Sequence, residues 1–269
     1  MLKRFFFRKN LKPFFFLFII LVIELIKLDS NFIENFYSNL FYKKSSSLFF
    51  FIFSSISFSV GDILYLLVPF IIYLIVHKSN TRRKNLKNLF YFFTTFYIIF
   101  QVQWGLNYHR IPLKNKLTIK DNYNTNSLIK TTNLFIIKTN KIHLEISKND
   151  TLPVLFSEDN TEVYKASIKS IKSIYNNKLI KNKIKHISVK NSLFSTPLSY
   201  MGFGGYINPF TLEAQINTNI PAIQIPTTIC HEIAHQIGYS AENEANFIGI
   251  LASVNSNNKL VKYSGNVLA

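Results

Sequence analysis

Residues 227–238 read TTICHEIAHQIG, and this segment has the pattern of one amphipathic helix. Ile229, Ile233 and Ile237 recur at every fourth residue, so their side chains lie on one side of a helix and can pack into a core. Pro226 stands where the first turn of a helix tolerates proline, and Gly238 stands where a helix commonly ends. The sequence therefore predicts a helix that begins at Pro226 and ends at Gly238.

Two histidines and a glutamate on this helix form a candidate metal-binding motif. His231 and His235 are four residues apart, so they project from the same face about one turn from each other. At this spacing two imidazoles can bind one Zn²⁺, and Glu232 beside them can hold a water molecule at the metal. The alternative interpretation is an ordinary pair of surface histidines.

A third ligand is expected from the next predicted helix, which begins near Ala241 and continues through Ser253. It opens with residues 242–247, ENEANF. Glu242 and Asn246 are four residues apart, so one can bind the metal while the other orients a histidine. Catalytic zinc usually has three protein ligands, a number that His231, His235 and Glu242 supply. Glu244 remains an alternative third ligand.

The rest of the back half, residues 106–269, is predicted to be one soluble domain of the α+β class. Tyr164, Ile168, Ile171 and Tyr175 share one face of a predicted helix over 161–176, with Asn160 or Thr161 as its cap. Alternating patterns predict strands over 184–190 and 211–217, and glycines make 191–208 loop-rich. The single cysteine, Cys230, excludes a disulfide framework and a zinc site built on clustered cysteines.

The front of the chain, residues 1–105, is predicted to be a membrane anchor. Apolar runs over 13–28, 63–76 and 89–104 approach the roughly 20 residues that a spanning helix needs, whereas the run over 48–58 is too short. Basic residues cluster in 3–12 and in 78–87. Because positive charge prefers the cytoplasmic side, we expect three crossings, with the amino terminus inside and residues after Trp104 outside.

The charge distribution favours the lipid bilayer over nucleic acid as a partner. Basic residues outnumber acidic ones 31 to 14, but twelve of the lysines are dispersed between Lys130 and Lys190, where they are interleaved with Ile, Asn, Thr and Ser. Clustered arginines and stacking aromatics, which mark a nucleic-acid groove, are missing from that segment. The stretch 191–258 has no Lys or Arg. The predicted spans carry few ionisable groups, which gives a transporter little support.

Several motifs besides the histidine helix resemble one family. The chain is similar to the bacterial membrane proteins called domain-of-unknown-function family 3810, which carry a zinc-peptidase-like motif of the gluzincin type. The motifs that carry the resemblance are SVGD at 59–62 with Tyr65, WGLNYHR at 104–110, SYMG at 199–202, GYINPFT at 205–211, EAQIN at 213–217, CHEIAHQ at 230–236, GY at 238–239 and ENEANF at 242–247.

The resemblance implies a zinc metallopeptidase anchored in the bacterial cytoplasmic membrane, with a gluzincin-like domain outside the cytoplasm. Family members usually continue beyond the second helix, so a domain shortened at its carboxyl end is expected here. In the resulting hypothesis Glu232 is the general base of peptide-bond hydrolysis. The alternative is a degenerate, membrane-anchored structural or binding protein.

Further hypotheses concern substrate contacts and the membrane boundary. The strand over 211–217 could pair with an extended peptide, and Glu213 or Asn217 could contact it, although an exposed polar strand face is the simpler interpretation of both. Asp62 and Arg110 are expected near the outer ends of their helices and could form an ion pair. The candidates for a hydroxyl that stabilises an oxyanion are Tyr200, Tyr206 and Tyr239.

Overall fold

A computed structural model of the chain describes residues 2–78, 81–119, 124–156, 161–176 and 186–269. Over these residues the chain is mainly helical and has one small sheet, which agrees with the predicted α+β class. The front half contains α1 (Leu2–Ile26), α2 (Ser30–Phe32), a π-helix (Ile33–Tyr42), α3 (Lys43–Ser54), α4 (Val60–His77) and α5 (Arg82–Gln103). The back half contains a 3₁₀ helix (Gly105–His109), α6 (Leu113–Lys116), α7 (Thr125–Ser147), α8 (Thr161–Asn176), β1 (Val189–Asn191), α9 (Ser195–Met201), β2 (Gly205–Ile207), β3 (Ala214–Ile216), α10 (Ile225–Gln236), α11 (Glu242–Val254) and α12 (Lys259–Leu268).

The predicted helices of the back half are confirmed and form its core. Helix α8 begins at Thr161, whereas Asn160, the other candidate cap, lies outside the described residues. The apolar side of α10 is fully buried at Ile229 and Ile233, which pack among residues of α8 and α11. Because burial of each such side chain stabilises the fold by about 1.5–3 kcal/mol, this core fixes the orientation of α10.

The sheet has three short strands in the order β1-β3-β2, with β1 parallel and β2 antiparallel to β3. The strand predicted over 211–217 is correct in position but too long, whereas the strand predicted over 184–190 overlaps β1 only at 189–190. Residues 186–188 precede β1 without strand structure, and 184–185 lie outside the described residues. The stretch 191–208 is not only loop, because it forms α9 and β2. The strand β3 lies in the middle of the sheet, where its residues are completely buried.

Of the described residues, only α4 forms a helix long and apolar enough to cross a membrane, and 11% of it is buried inside the protein. This property is compatible with membrane association. Three membrane-spanning helices were expected, and among the described residues only α4 meets the criteria of length and hydropathy. The other two runs do form helices, but α1 retains Lys12 and Glu24, and α5 carries polar residues such as Thr94 and Gln101.

The first turn of α4 is bonded to the sheet and to the loop after β1. Ser59 caps the helix by accepting a hydrogen bond from the backbone N of Asp62 at 2.9 Å. The buried carboxylate of Glu213 accepts from the backbone N of Gly61 at 2.6 Å, and from that of Val60 at 3.3 Å. Asp62 itself accepts from the backbone N of Leu193 at 2.6 Å. The start of α4 is thus fixed to the back half of the chain.

The predicted ion pair between Asp62 and Arg110 is wrong. Asp62 accepts hydrogen bonds from Ser192 and Tyr206 besides that from Leu193, so its carboxylate is occupied by neutral donors. The guanidinium of Arg110 instead donates from Nε and Nη2 to the two carboxylate oxygens of Glu34, each at 3.0 Å. Glu34 lies in the π-helix, and no spacing in the sequence pointed to it.

Candidate metal centre

Helix α10 places the two histidines of the motif side by side. The rings of His231 and His235 lie 4.6 Å apart between centroids and are nearly perpendicular. Helix α11 packs closely over α10 at Gly249, where a β-carbon would lie 2.9 Å from the backbone N of His231. The absence of a side chain at Gly249 therefore brings the start of α11 within reach of the histidines.

Glu242, the first residue of α11, completes a three-residue cluster with the histidines. Its Oε2 lies 3.3 Å from Nε2 of His231, and its Oε1 lies 3.3 Å from Nε2 of His235. The ligand atoms of His231, Glu232 and His235 also lie within 4.8 Å of one another. The structure therefore brings together all four residues that the sequence predicted for the site.

Glu244, the alternative third ligand, has a different partner. Its carboxylate accepts a hydrogen bond from the backbone N of Leu113 at 2.5 Å, at the start of α6. Asn246 lies one turn after Glu242 on α11 and lines the same cavity as His231. The geometry thus favours Glu242 over Glu244 as the partner of the histidines.

The contacts around His235 determine which of its ring nitrogens carries the proton in the neutral form. Its Nδ1 lies 2.8 Å from the carbonyl oxygen of Tyr239, and because a carbonyl only accepts, Nδ1 is the donor. In neutral His235 the lone pair of Nε2 then points at the carboxylate of Glu242. Such an arrangement requires a proton or a cation between the two groups. It is the arrangement that a metal site needs, since the hydrogen bond of Nδ1 fixes the tautomer.

Burial shifts the titration of the site in opposite directions for histidine and glutamate. Burial, reinforced by the neighbouring His235, lowers the pKa of His231 to about 4. Burial raises the pKa of Glu232 to about 8. For His235 burial alone would lower the pKa, but the hydrogen bond to Glu242 and the charge of Glu232 raise it. The same hydrogen bond lowers the pKa of Glu242.

The distances from the histidines to Glu242 fall in the range between two ligands of a tetrahedral zinc ion, but each histidine contacts a different oxygen of the carboxylate. With metal–ligand bonds of about 2.0–2.2 Å, two ligand atoms of a tetrahedral site lie about 3.3–3.6 Å apart. The two nitrogen–oxygen distances to Glu242 are both 3.3 Å. In addition, Oε2 of Glu232 is buried without a hydrogen-bond partner among the described residues. A buried polar atom of this kind is expected to bind a water molecule or a ligand.

The cluster lies in a cavity of about 650 Å³. One wall comes from α10 and α11, and another comes from the end of α5 and the 3₁₀ helix, which contribute Phe100, Trp104 and Tyr108. The indole of Trp104 also donates to the carbonyl oxygen of His235 at 3.2 Å. The segment from Gly202 to Ile207 lines a further side. The volume of this cavity lies within the range of about 300–1,000 Å³ that is typical of ligand-binding pockets.

Comparison with protein families identifies the chain. Residues 37–269 match the family model described as "Protein of unknown function (DUF3810)". The chain belongs to this family. The matched range contains every residue of the candidate site and all elements from α3 to α12. No curated protein and no solved structure is significantly similar to the chain.

The edge of the sheet that faces the cavity of this DUF3810 protein is β2. The prediction that the strand over 211–217 pairs with a substrate is wrong, because β3 lies between β1 and β2. The residues on either side of β2 bond to the residues on either side of β3: the carbonyl oxygen of Gly204 accepts from the backbone N of Asn217, and the backbone N of Asn208 donates to the carbonyl oxygen of Glu213. Because backbone groups alternate along a strand, those of Gly205 and Ile207 point to the free edge. An extended peptide can pair there.

Glu213 and Asn217 are completely buried, so they are neither substrate contacts nor part of an exposed strand face. Glu213 accepts hydrogen bonds from the first turn of α4, as described above, and also from the hydroxyl of Thr211. The amide of Asn217 donates to Ser199 and to the carbonyl oxygen of Phe203. Both residues hold the loops around the sheet in place.

The tyrosines proposed for oxyanion stabilisation lie in three different environments. Tyr200 is 90% exposed and is not among the residues that line the cavity. Tyr239 is buried, with its ring 4.7 Å from the guanidinium of Arg110. Tyr206 does line the cavity, but its hydroxyl donates to Asp62.

Tyr108 is a further candidate that sequence reasoning missed. It lines the cavity, and burial together with the charge of Glu242 raises its pKa. The residue is 54% exposed, so it is accessible to solvent. The signal was present in the sequence, since Tyr108 belongs to the WGLNYHR motif at 104–110, but no local pattern places that motif beside α10.

Gly205 is required for the close approach of β2 to Glu232. A β-carbon at this residue would lie 2.6 Å from the carbonyl oxygen of Gln215 and 2.8 Å from Oε1 of Glu232. We expect Gly205→Ala to destabilise the protein by about 1–3 kcal/mol and to displace Glu232. Thermal unfolding and zinc content would be measured beside Gly202→Ala. That control residue has a strained φ of +77° but open space around it, so it tests backbone strain without a clash at the site. Equal stability of Gly205→Ala and the parent would contradict the steric argument.

Proposed function

We propose that this protein is a membrane-anchored zinc metallopeptidase with His231, His235 and Glu242 as metal ligands and Glu232 as general base. The observation that carries the proposal is the convergence of both Nε2 atoms on the carboxylate of Glu242, at 3.3 Å each. Family membership supplies no activity, because the family is described as one of unknown function. The proposal therefore rests on the chemistry of the cluster and on the cavity around it.

Each residue of the site has a separate role in the proposed hydrolysis. A Zn²⁺ ion held by His231, His235 and Glu242 would polarise the scissile carbonyl and would lower the pKa of the attacking water towards about 7. Glu232 accepts a proton from the attacking water and passes it to the leaving amine as the carbon–nitrogen bond breaks. The free edge of β2 would hold the substrate in an extended conformation. Tyr108, which lines the same cavity, would donate a hydrogen bond to the oxygen on which negative charge develops.

The membrane anchor is the second part of the proposal. Helix α4 is the candidate span, and we propose that α1 and α5 accompany it, because α5 contacts both of them. Large apolar side chains on α1 are exposed to the surroundings, as at Phe14, Phe15 and Phe18. The basic residues between α4 and α5 would keep that connection in the cytoplasm of a bacterial cell, so that residues 106–269 lie outside it.

Zinc content tests the ligand set. The purified protein in detergent is expected to hold about one zinc per chain, and His231→Ala, His235→Ala and Glu242→Ala are expected to lose it. Glu244→Ala is the matched control, because Glu244 lies in the same helical turn but contacts Leu113. Metal would be measured by mass spectrometry on folded, monodisperse samples. The ligand assignment would be contradicted by a folded wild-type protein that contains no zinc, or by a Glu242→Ala variant that retains zinc.

A further inference from the structure

An exposed apolar surface borders the cavity. It consists of Leu193, Tyr200, Met201 and Phe203, which are 58%, 90%, 59% and 55% exposed, and we call it the apolar rim. All four residues lie in the segment from the end of β1 to the start of β2. Gly202 and Phe203 in this segment also line the cavity. Large apolar side chains this exposed and this close in sequence mark an interaction surface.

The segment that carries the apolar rim is tied at both ends to the first turn of α4. At its start, the backbone N of Leu193 donates to Asp62 at 2.6 Å. At its far end, the hydroxyl of Tyr206 donates to the same carboxylate. Asp62 is the third residue of α4 and is completely buried. The position of the apolar rim is therefore determined by the position of this turn.

The length of α4 sets the depth of that turn in a bilayer. Its 18 residues extend about 27 Å at 1.5 Å per residue, which nearly equals the roughly 30 Å of hydrocarbon in a typical bilayer. A spanning helix that is no longer than the hydrocarbon layer has each of its ends near the boundary between hydrocarbon and headgroups. Asp62, and with it the apolar rim, then lies at that boundary.

We infer that the apolar rim inserts into the headgroup region of the bilayer, so that the cavity opens at the membrane surface. The inference rests on the proposed membrane insertion of α4 and is independent of zinc chemistry. Tyrosine and other amphipathic or apolar side chains are favoured at this depth. Because residues 191–258 contain no Lys or Arg, insertion does not depend on anionic lipid. The peptide substrates of the proposed function would then be segments held close to the membrane.

Fluorescence quenching by lipid tests this inference in the full chain. Single cysteines at Tyr200, Phe203, Leu67 and Lys141 would each carry a fluorophore, in vesicles of phosphatidylcholine that include spin-labelled phosphatidylcholine. The native Cys230 is completely buried and does not compete for the label. Leu67 is exposed in the middle of α4 and reports the membrane insertion of that helix, whereas Lys141 is an exposed residue of α7. Each variant is compared with the parent for unfolding temperature.

The expected result is loss of fluorescence at Tyr200→Cys and Phe203→Cys with a spin label high in the acyl chain. At Leu67→Cys the loss is expected with a deep spin label, and at Lys141→Cys with neither. Quenching at Leu67→Cys alone would overturn the inference and would indicate that the apolar rim contacts a protein partner. The membrane insertion of α4 would still be supported by that result. A lack of quenching at Leu67→Cys would overturn both. None of these outcomes depends on zinc content, so they are separable from failure of the proposed metal site.

Discussion

Replacement of Glu232 by glutamine is expected to lower the rate of peptide hydrolysis by about 10²–10⁴-fold while zinc content is unchanged. Glutamine has nearly the same shape, so it should keep the packing of Glu232 against Gly205, but it accepts no proton from the attacking water. Glu232 is only 3% exposed, so solvent would not replace it efficiently as a base. The measurement is kcat/KM for a library of internally quenched peptides, with the protein in lipid nanodiscs.

The matched control for this variant is Glu244→Gln, which makes the same chemical change two residues after Glu242 but outside the cavity. It is expected to keep wild-type activity. Zinc must be measured on the same samples, since a variant that loses both zinc and activity tests only the ligand set. Full activity of zinc-containing Glu232→Gln would refute the general-base assignment. Zinc without turnover in the wild-type protein would favour the non-enzymatic alternative, a binding or structural protein.

The parts of the structure that sequence patterns predicted are those that local interactions determine. Helix α10 follows from apolar residues repeated every fourth position, from proline in its first turn and from Gly238, which has a φ of +91°. The spacing of His231 and His235 on this helix is a property of helical geometry alone. The same argument predicted that Glu242 and Asn246 lie one turn apart on α11. The meeting of α10 and α11 over Gly249 required only that two neighbouring helices pack together.

Contacts between distant residues were predicted poorly, because sequence spacing carries no information about them. Strand β3 is a central strand only because β1 and β2 flank it, and this arrangement buries Glu213 and Asn217. The ion pair predicted for Asp62 was based on its charge and on its expected depth in the membrane. In the structure Asp62 accepts hydrogen bonds from neutral donors in the loop after β1 and in β2. Glu34, the true partner of Arg110, lies in a π-helix that no periodic pattern indicated.

Arg110 and Glu34 hold the carboxyl end of α10 from the front half of the chain. Nη1 of Arg110 donates to the carbonyl oxygen of Gly238 at 2.8 Å, and its guanidinium stacks on the ring of Tyr239. The next carbonyl, that of Tyr239, orients His235. Burial alone would raise the pKa of Glu34, but the hydrogen bonds and charges of Arg110 and Lys116 outweigh it and lower the pKa to about 2.

We therefore expect Glu34→Leu to lower the free energy of unfolding by about 3–5 kcal/mol, because it leaves the buried charge of Arg110 without its partner. The double variant Glu34→Leu/Arg110→Leu should be less destabilised than the sum of the two single variants, since it removes both charges. As the pKa of Glu34 is lowered in the folded state, the contribution of the pair is present above its unfolded pKa of about 4.3 and is lost as the pH falls towards 2. Unfolding in detergent, followed by circular dichroism at several pH values, measures both effects.

The matched control is the surface pair of Lys259 and Glu145, whose side chains are 58% and 41% exposed at a distance of 3.3 Å. Replacement of Lys259 by glutamine should change stability by less than about 1 kcal/mol, because solvent screens an exposed pair. Zinc affinity gives an independent readout, since loss of Arg110 should loosen the turn that orients His235 and weaken binding, whereas Lys259→Gln should leave it unchanged. If Glu34→Leu were no more destabilising than Lys259→Gln, the buried pair would not be what joins the front half of the chain to α10. That connection would then rest on two hydrogen bonds, from Trp104 to the carbonyl oxygen of His235 and from Tyr42 to the carbonyl oxygen of Gln236.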